Sequence, residues 1–264
     1  MSNIKQKKAK ERARKLRKVI DKHRHLYHVE DKPEVTDEVY DSLMEELSVL
    51  EEQYPEILSR TSPTQRVGGK PLDHFEKVHH EMRQWSFDDV FSFEELKKWE
   101  EKVKRLIDKG TSVKNEQLEY CCEIKIDGLK IILTYKDGEF VQGATRGDGK
   151  IGENVTQNLK TIGSIPLVLN KEVDVVAVGE AWLAGSELAR LNKEREKKGE
   201  TPFANSRNAA AGSIRQLDPK VAANRRLDAF IYDIDKMEGI SMPETQTEEL
   251  EFLKSLGFKV NKHF

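Results

Sequence analysis

The chain has 264 residues, room for one large domain or two small ones. Its 45 Lys+Arg against 47 Asp+Glu give a net charge of −2, so no global imbalance dictates a partner, and 37% hydrophobic residues argue against wholesale disorder. No run approaches the roughly 18 apolar residues that a membrane span needs, the start MSNIKQKKAKERARK has no apolar signal core, and two adjacent cysteines form neither a disulfide framework nor a zinc site. A soluble, cytoplasmic protein is expected.

The net figure hides an asymmetry. Residues 1–24 carry eleven bases and two acids, net +9, leaving −11 for the rest. Such a helix is able to touch phosphates, but a solvated helix face is the favoured reading of the charge alone. Residues 5–29 lack Pro and Gly, and Leu16, Val19, Ile20, Leu26 and Tyr27 recur at helical spacing. After Pro33, Thr36 stands as an N-cap before DEVYDSLMEELSVLEEQYPEI, whose Val39, Leu43, Leu47 and Leu50 form a second stripe. The first seventy residues therefore read as a helical hairpin. Residues 60–71, rich in turn formers, read as a linker, and 92–109 as an amphipathic helix with Phe93, Leu96, Val103 and Leu106 on its apolar side.

From residue 118 the period changes. Glu119–Ile126 and Leu129–Tyr135 read as strands, and Lys136-Asp-Gly-Glu139 turns the chain into another at 140–145. A turn at Arg146-Gly-Asp-Gly149 precedes a helix near 153–160. A strand at 173–183, helices at 186–198 and 209–216, and a strand at 227–233 follow. Strands and helices mixed without regular alternation predict an α+β fold.

The densest chemistry lies in Cys121-Cys-Glu-Ile-Lys-Ile-Asp-Gly-Leu129. On a strand, Lys125 and Glu123 would share one face, so an amine and a carboxylate would line one pocket. Partial burial would favour the neutral, nucleophilic amine. Taken alone, Lys-x-Asp-Gly is equally compatible with a surface hairpin.

The run CEIKIDGLKIILTYKDGEFVQGATRGDGKIGENVTQNLKTIGSIPLVL, continued by VGEAWLAGSELARLN and TPFANSRNAAAGSIRQLDP, resembles the nucleotidyltransferase domain of NAD-dependent DNA ligases. The likeness extends upstream through HLYHVEDKPEVTDEVYD, SPTQRVGG and WSFDDVFSFEEL. It implies a helical NAD-recognition subdomain at 1–70 and, at 71–264, a mixed α/β core of the DNA ligase and mRNA-capping type. That core is expected to be C-terminally incomplete, lacking its last strands and two further nucleotide-binding lysines.

The same resemblance assigns roles. Lys125 would attack the α-phosphorus of NAD and release nicotinamide mononucleotide, leaving a lysine–AMP that passes to the 5′-phosphate of nicked double-stranded DNA. Asp127 and Glu180 would be catalytic and hold Mg²⁺; Glu123 would read adenine, and Arg146 would lie in the same nucleotide pocket. Tyr27 and His28, with Asp37, Glu38, Val39, Tyr40 and Asp41, correspond to the nicotinamide-mononucleotide module. An aromatic face and carboxylates suit a cationic pyridinium and ribose hydroxyls. Ser86 and Phe87 match a Ser-Leu pair bordering the nucleotide, and Arg207 and Arg215 a DNA-facing stretch. Against the family pattern, Val178 replaces Arg, Lys130 a small residue, Asp89 an Asn and Ser206 a Pro. A monomer with weak DNA binding and no membrane partner is expected. Two rivals stay open: an ATP- or GTP-using RNA ligase or capping-type enzyme, and a catalytically silent module that binds nucleotide or DNA.

Overall fold

A computed structural model describes residues 2–67, 72–110 and 119–264. Helix α1 (Ser2–His28) packs against α2 (Asp37–Gln53). The seam on α1 is Ala9, Ala13, Leu16 and Ile20, closed by Leu47 and Ile57 from the second arm. Alanines let the two helices approach closely, and they displace Val19, expected in the stripe, which is exposed instead. Thr36 occupies the N-cap position of α2, but its hydroxyl makes no cap bond; it bonds the Glu38 carboxylate instead.

The rest is α+β. Strand β1 (Lys77–His79) pairs antiparallel with β4 (Ile151–Glu153), so Glu153 belongs to a strand and not to the helix expected near it. Helix α3 is Phe93–Gly110. Strands β2 (Leu129–Lys136), β3 (Glu139–Thr145), β5 (Asp174–Trp182) and β6 (Asp228–Glu238) form an antiparallel sheet in the order β3-β2-β5-β6. Asp137 and Gly138, both at positive φ, make the tight turn between β2 and β3. Helices α4 (Thr156–Lys160), α5 (Gly185–Lys197), α6 (Ser206–Ile214), α7 (Pro219–Ala223) and α8 (Gln246–Ser255) complete the chain; β1, β4, α7 and α8 escaped the sequence reading.

One face of the sheet holds the main core. Ile131, Leu133 and Tyr135 of β2 meet Val175, Ala177 and Ala181 of β5, with Leu253 and Phe258 from the C-terminal segment packed behind. The alternation in β2 is what sends Lys130 to the other face, towards the site.

One expectation fails. Residues 119–126 form no strand: the sheet begins only at Leu129, and Cys122 and Ile124 point outward, exposed. Apolar runs of this length do not distinguish a strand from an extended segment crossing a sheet end. Helix α3 forms where expected; Phe93, Leu96 and Leu106 on its apolar side are exposed, and Trp99 meets Tyr120 at a ring separation of 6.2 Å.

The hairpin docks on the loop after α4 through two arginines. Arg24 donates to the Gly163 carbonyl at 2.7 Å. Arg66, largely buried, donates to the carbonyls of Lys160, Ile162 and Ile165 at 2.9–3.2 Å, satisfying the open end of α4. Burial pushes the Arg66 guanidinium down to about 9.

Candidate functional site

The residues singled out from the sequence fall into two groups. Tyr27, His28, Asp37 and Tyr40 line one pocket of about 240 Å³ on the hairpin, with Arg24 and Glu34 among its other walls. The end of α1 and the first turn of α2 bring them together, because residues at i and i+3 of a helix share a face. Tyr27 and His28 meet edge to face, 4.8 Å between centroids. Glu38, Val39 and Asp41 are exposed and do not line this pocket. Residue 163 is glycine where the His28 ring rests, since a Cβ there would collide with the imidazole. His28 remains partly exposed overall, yet burial of its ring, with the charges of Arg24 and Arg66, lowers its pKa to about 4.

The second group sits where β2 begins and β5 ends. Gly128 lies so close to the Ala181 carbonyl that no Cβ fits between them, and its N–H donates to the Glu180 carboxylate. The chain thus turns hard against β5, with Asp127 and Lys125 projecting just before it. Arg207, at the start of α6, stands 3.5 Å from Asp127 and 3.9 Å from Glu180, bridging the two carboxylates. Burial raises the pKa of Glu180, while the charges of Arg207 and Lys125 pull the other way. Lys125 itself is exposed and not partly buried, because it lies off the sheet; its Nζ is 5.5 Å from the centre of the Phe87 ring. Ser86, beside it, is exposed.

Glu123 does not share a strand face with Lys125, since there is no strand. It is held instead by Gln246 of α8, whose Nε2 donates to Glu123 Oε1 at 3.0 Å and to the Tyr232 carbonyl at 2.9 Å. Burial raises the pKa of Glu123. Tyr232, 6.1 Å from Phe87 between ring centres, and Gln246 were not foreseen. Strand alternation over 227–233 carried the signal for Tyr232; Gln246 had none, because only the packing of α8 on β6 brings it there.

Arg146 donates from Nε to the Gln84 carbonyl at 3.2 Å and lines a cleft of about 610 Å³ with Lys130, Arg207 and Arg215. Arg215 pairs with Glu153 at 2.7 Å. Cations dominate the wall of this cleft, as an anionic ligand requires.

Among the described residues no group of three or more His, Cys, Asp or Glu could hold a metal. Asp127 and Glu180 nevertheless supply the one or two carboxylates that magnesium uses when substrate phosphates complete its shell. The donor set fits an ion shared with a nucleotide rather than an all-protein site.

A family model for the NAD-dependent DNA ligase adenylation domain matches residues 72–264, and one for the DNA ligase-like, N-terminal NAD+-binding domain matches residues 6–68. A DNA ligase of Acetivibrio thermocellus is 48% identical over 93% of this chain and 36% of its own length. Those of Brevibacillus brevis and Bacillus subtilis are 47% and 46% identical, each over 96% of this chain and 37% of theirs. The chain thus spans little more than a third of the length of these curated relatives. With both models matching in order along the chain, the protein belongs to the NAD-dependent DNA ligase family, covering its NAD+-binding and adenylation regions.

Proposed function

We propose that this chain carries out the adenylylation step of an NAD-dependent DNA ligase. The observation that carries the reading is the convergence of Lys125, Asp127, Glu180 and Arg207 at one end of the sheet. In this scheme NAD lies with its adenylate at the sheet end and its nicotinamide mononucleotide recognised by Tyr27, His28, Asp37 and Tyr40, with Glu38, Val39 and Asp41 at the rim of that module. Glu123 reads adenine while Gln246 keeps it oriented, and Ser86 and Phe87 border the nucleotide. The neutral Nζ of Lys125 forms a bond to the α-phosphorus as the bond to the departing phosphate breaks. Nicotinamide mononucleotide leaves with the bonding electrons, and the lysine gives up a proton. Positioning and charge neutralisation supply most of the rate in phosphoryl transfer. Arg146 and Arg207 are placed to supply positive charge, and Mg²⁺ held by Asp127 and Glu180 would add more at the phosphate.

The same reading makes nicked double-stranded DNA the acceptor of AMP in the whole ligase, with Arg207 and Arg215 facing it. It divides the chain into a recognition subdomain, 1–70, and an adenylation domain, 71–264. It also makes the protein a cytoplasmic monomer; among the described residues no helix is long and apolar enough to cross a membrane.

Intact mass spectrometry after incubation with NAD or with ATP, each with Mg²⁺, tests the proposal. A gain of one AMP from NAD alone supports it. A gain from ATP points to the RNA ligase or capping type, and no gain from either points to a silent binding module.

A further inference from the structure

The segment Gln84–Phe87 lies over the end of the sheet and holds three cations in a row. The Gln84 carbonyl takes Arg146, the Trp85 carbonyl accepts from Lys130 Nζ at 3.3 Å, and the Phe87 ring lies under Lys125. Of these cations, Lys130 has no place in the scheme above.

Lys130 is the second residue of β2 and stands directly opposite Glu180 on β5. Directly opposed residues of antiparallel strands project from the same face, so Lys130 shares a face with Glu180 and lines the cationic cleft, where the carboxylates of Asp235, Asp233 and Glu180 all act on its ammonium. Its neighbours in the cleft, Arg207 and Arg215, are each engaged by a carboxylate. Lys130 is in no ion pair among the described residues, and the Trp85 carbonyl is its single hydrogen-bond acceptor there. An ammonium has three donors, which leaves two for a ligand. Val178, two residues before Glu180, faces Ile132 and carries no charge. The positive charge on this face of the two strands is thus supplied by Lys130.

We propose that Lys130 is a phosphate-binding residue of this site, donating to the phosphate of a bound adenine nucleotide from across Glu180. The inference rests on the cleft being the nucleotide site, and the experiment separates the two claims.

Calorimetry of the full chain with AMP and with adenosine isolates the phosphate contribution. It is run on wild type, Lys130→Met and Lys130→Arg, and the ratio of the two affinities does not depend on the fraction folded. Losing one charged hydrogen bond should weaken AMP binding by about tenfold in Lys130→Met, with adenosine unchanged and Lys130→Arg within about threefold of wild type. An unchanged ratio in Lys130→Met, with wild type preferring AMP, overturns the role of Lys130 alone. Equal weakening of AMP and adenosine also overturns it, since that marks a structural lysine. A wild type that binds neither ligand overturns the nucleotide site itself.

Discussion

The pocket on the hairpin and the cleft at the sheet end are built by opposite means. Two consecutive helical segments supply the first, so its residues are close in sequence and the helical period alone aligns them. The second draws on the strap at 84–87, the turn at 123–128, the ends of β3 and β5, the start of α6 and the first turn of α8, which meet only through sheet register and packing. Charge is handled differently as well. On the hairpin five of the eleven α1 bases pair with nearby carboxylates, among them Arg12 with Glu46, Arg17 with Glu51 and Lys22 with Glu34. In the cleft, cations outnumber the carboxylates that face them. The hairpin ties its two helices together with ion pairs between them, whereas the cleft gathers its cations on one wall.

The sharpest way to break this contrast is to remove the proposed nucleophile. Lys125→Ala should abolish the AMP adduct outright while leaving the hairpin pocket intact; peptide mapping that puts AMP on Lys130 would overturn the assignment. Next in size is Arg66→Met, which strips three buried carbonyls of their donor. A loss of about 3 kcal/mol in denaturant-measured stability is expected, because unmet buried polar groups carry their full desolvation cost. Arg12→Ala, at an exposed pair, should hardly move the midpoint.

Tyr27→Ala or Asp37→Ala should weaken NAD binding by about tenfold, the worth of one good polar or aromatic contact, and leave AMP binding unaltered. Equal loss for both ligands would mean that the two groups of residues are not separable.

A smaller effect follows from His28. Its pKa in the folded chain is about 4, below the ordinary 6.5, so the unfolded or undocked form takes up the proton first. Its packing against Gly163 is therefore fully effective above about pH 6.5 and weakens as pH falls towards 4. Melting temperature between pH 7.5 and 5 should fall more for wild type than for His28→Phe.

The smallest effect concerns DNA. With five of the eleven α1 bases in local ion pairs and few other cations placed to meet phosphate, binding to nicked duplex should be weak and independent of sequence. The log affinity should fall against log salt with a slope of about −0.9 per phosphate contacted, and hence shallowly. A steep slope would show that the basic face of α1 is a major binding surface.

Much of this is legible in the sequence. Helix spacing locates both arms of the helical hairpin, and the Asp137-Gly138 pair marks the turn between β2 and β3, because that chemistry tolerates successive positive φ values. The motif residues from Tyr27 to Arg215 were named from the family pattern alone. The segment 119–126 is the misreading: it looks like a strand, but an apolar run reports what a segment is able to bury and not whether a neighbour pairs with it.

The sequence by itself determined the family and the α+β class, and it named the residues of the proposed site, for these reside in local residue patterns. Tertiary structure decided which of those residues meet. The register of β2 on β5 puts Lys130 opposite Glu180, α8 carries Gln246 to Glu123, and Gly128 fits Lys125's turn against Ala181. Such pairings join positions 50 to 123 residues apart, and nothing local in a chain encodes a partner at that distance except the packing of the whole.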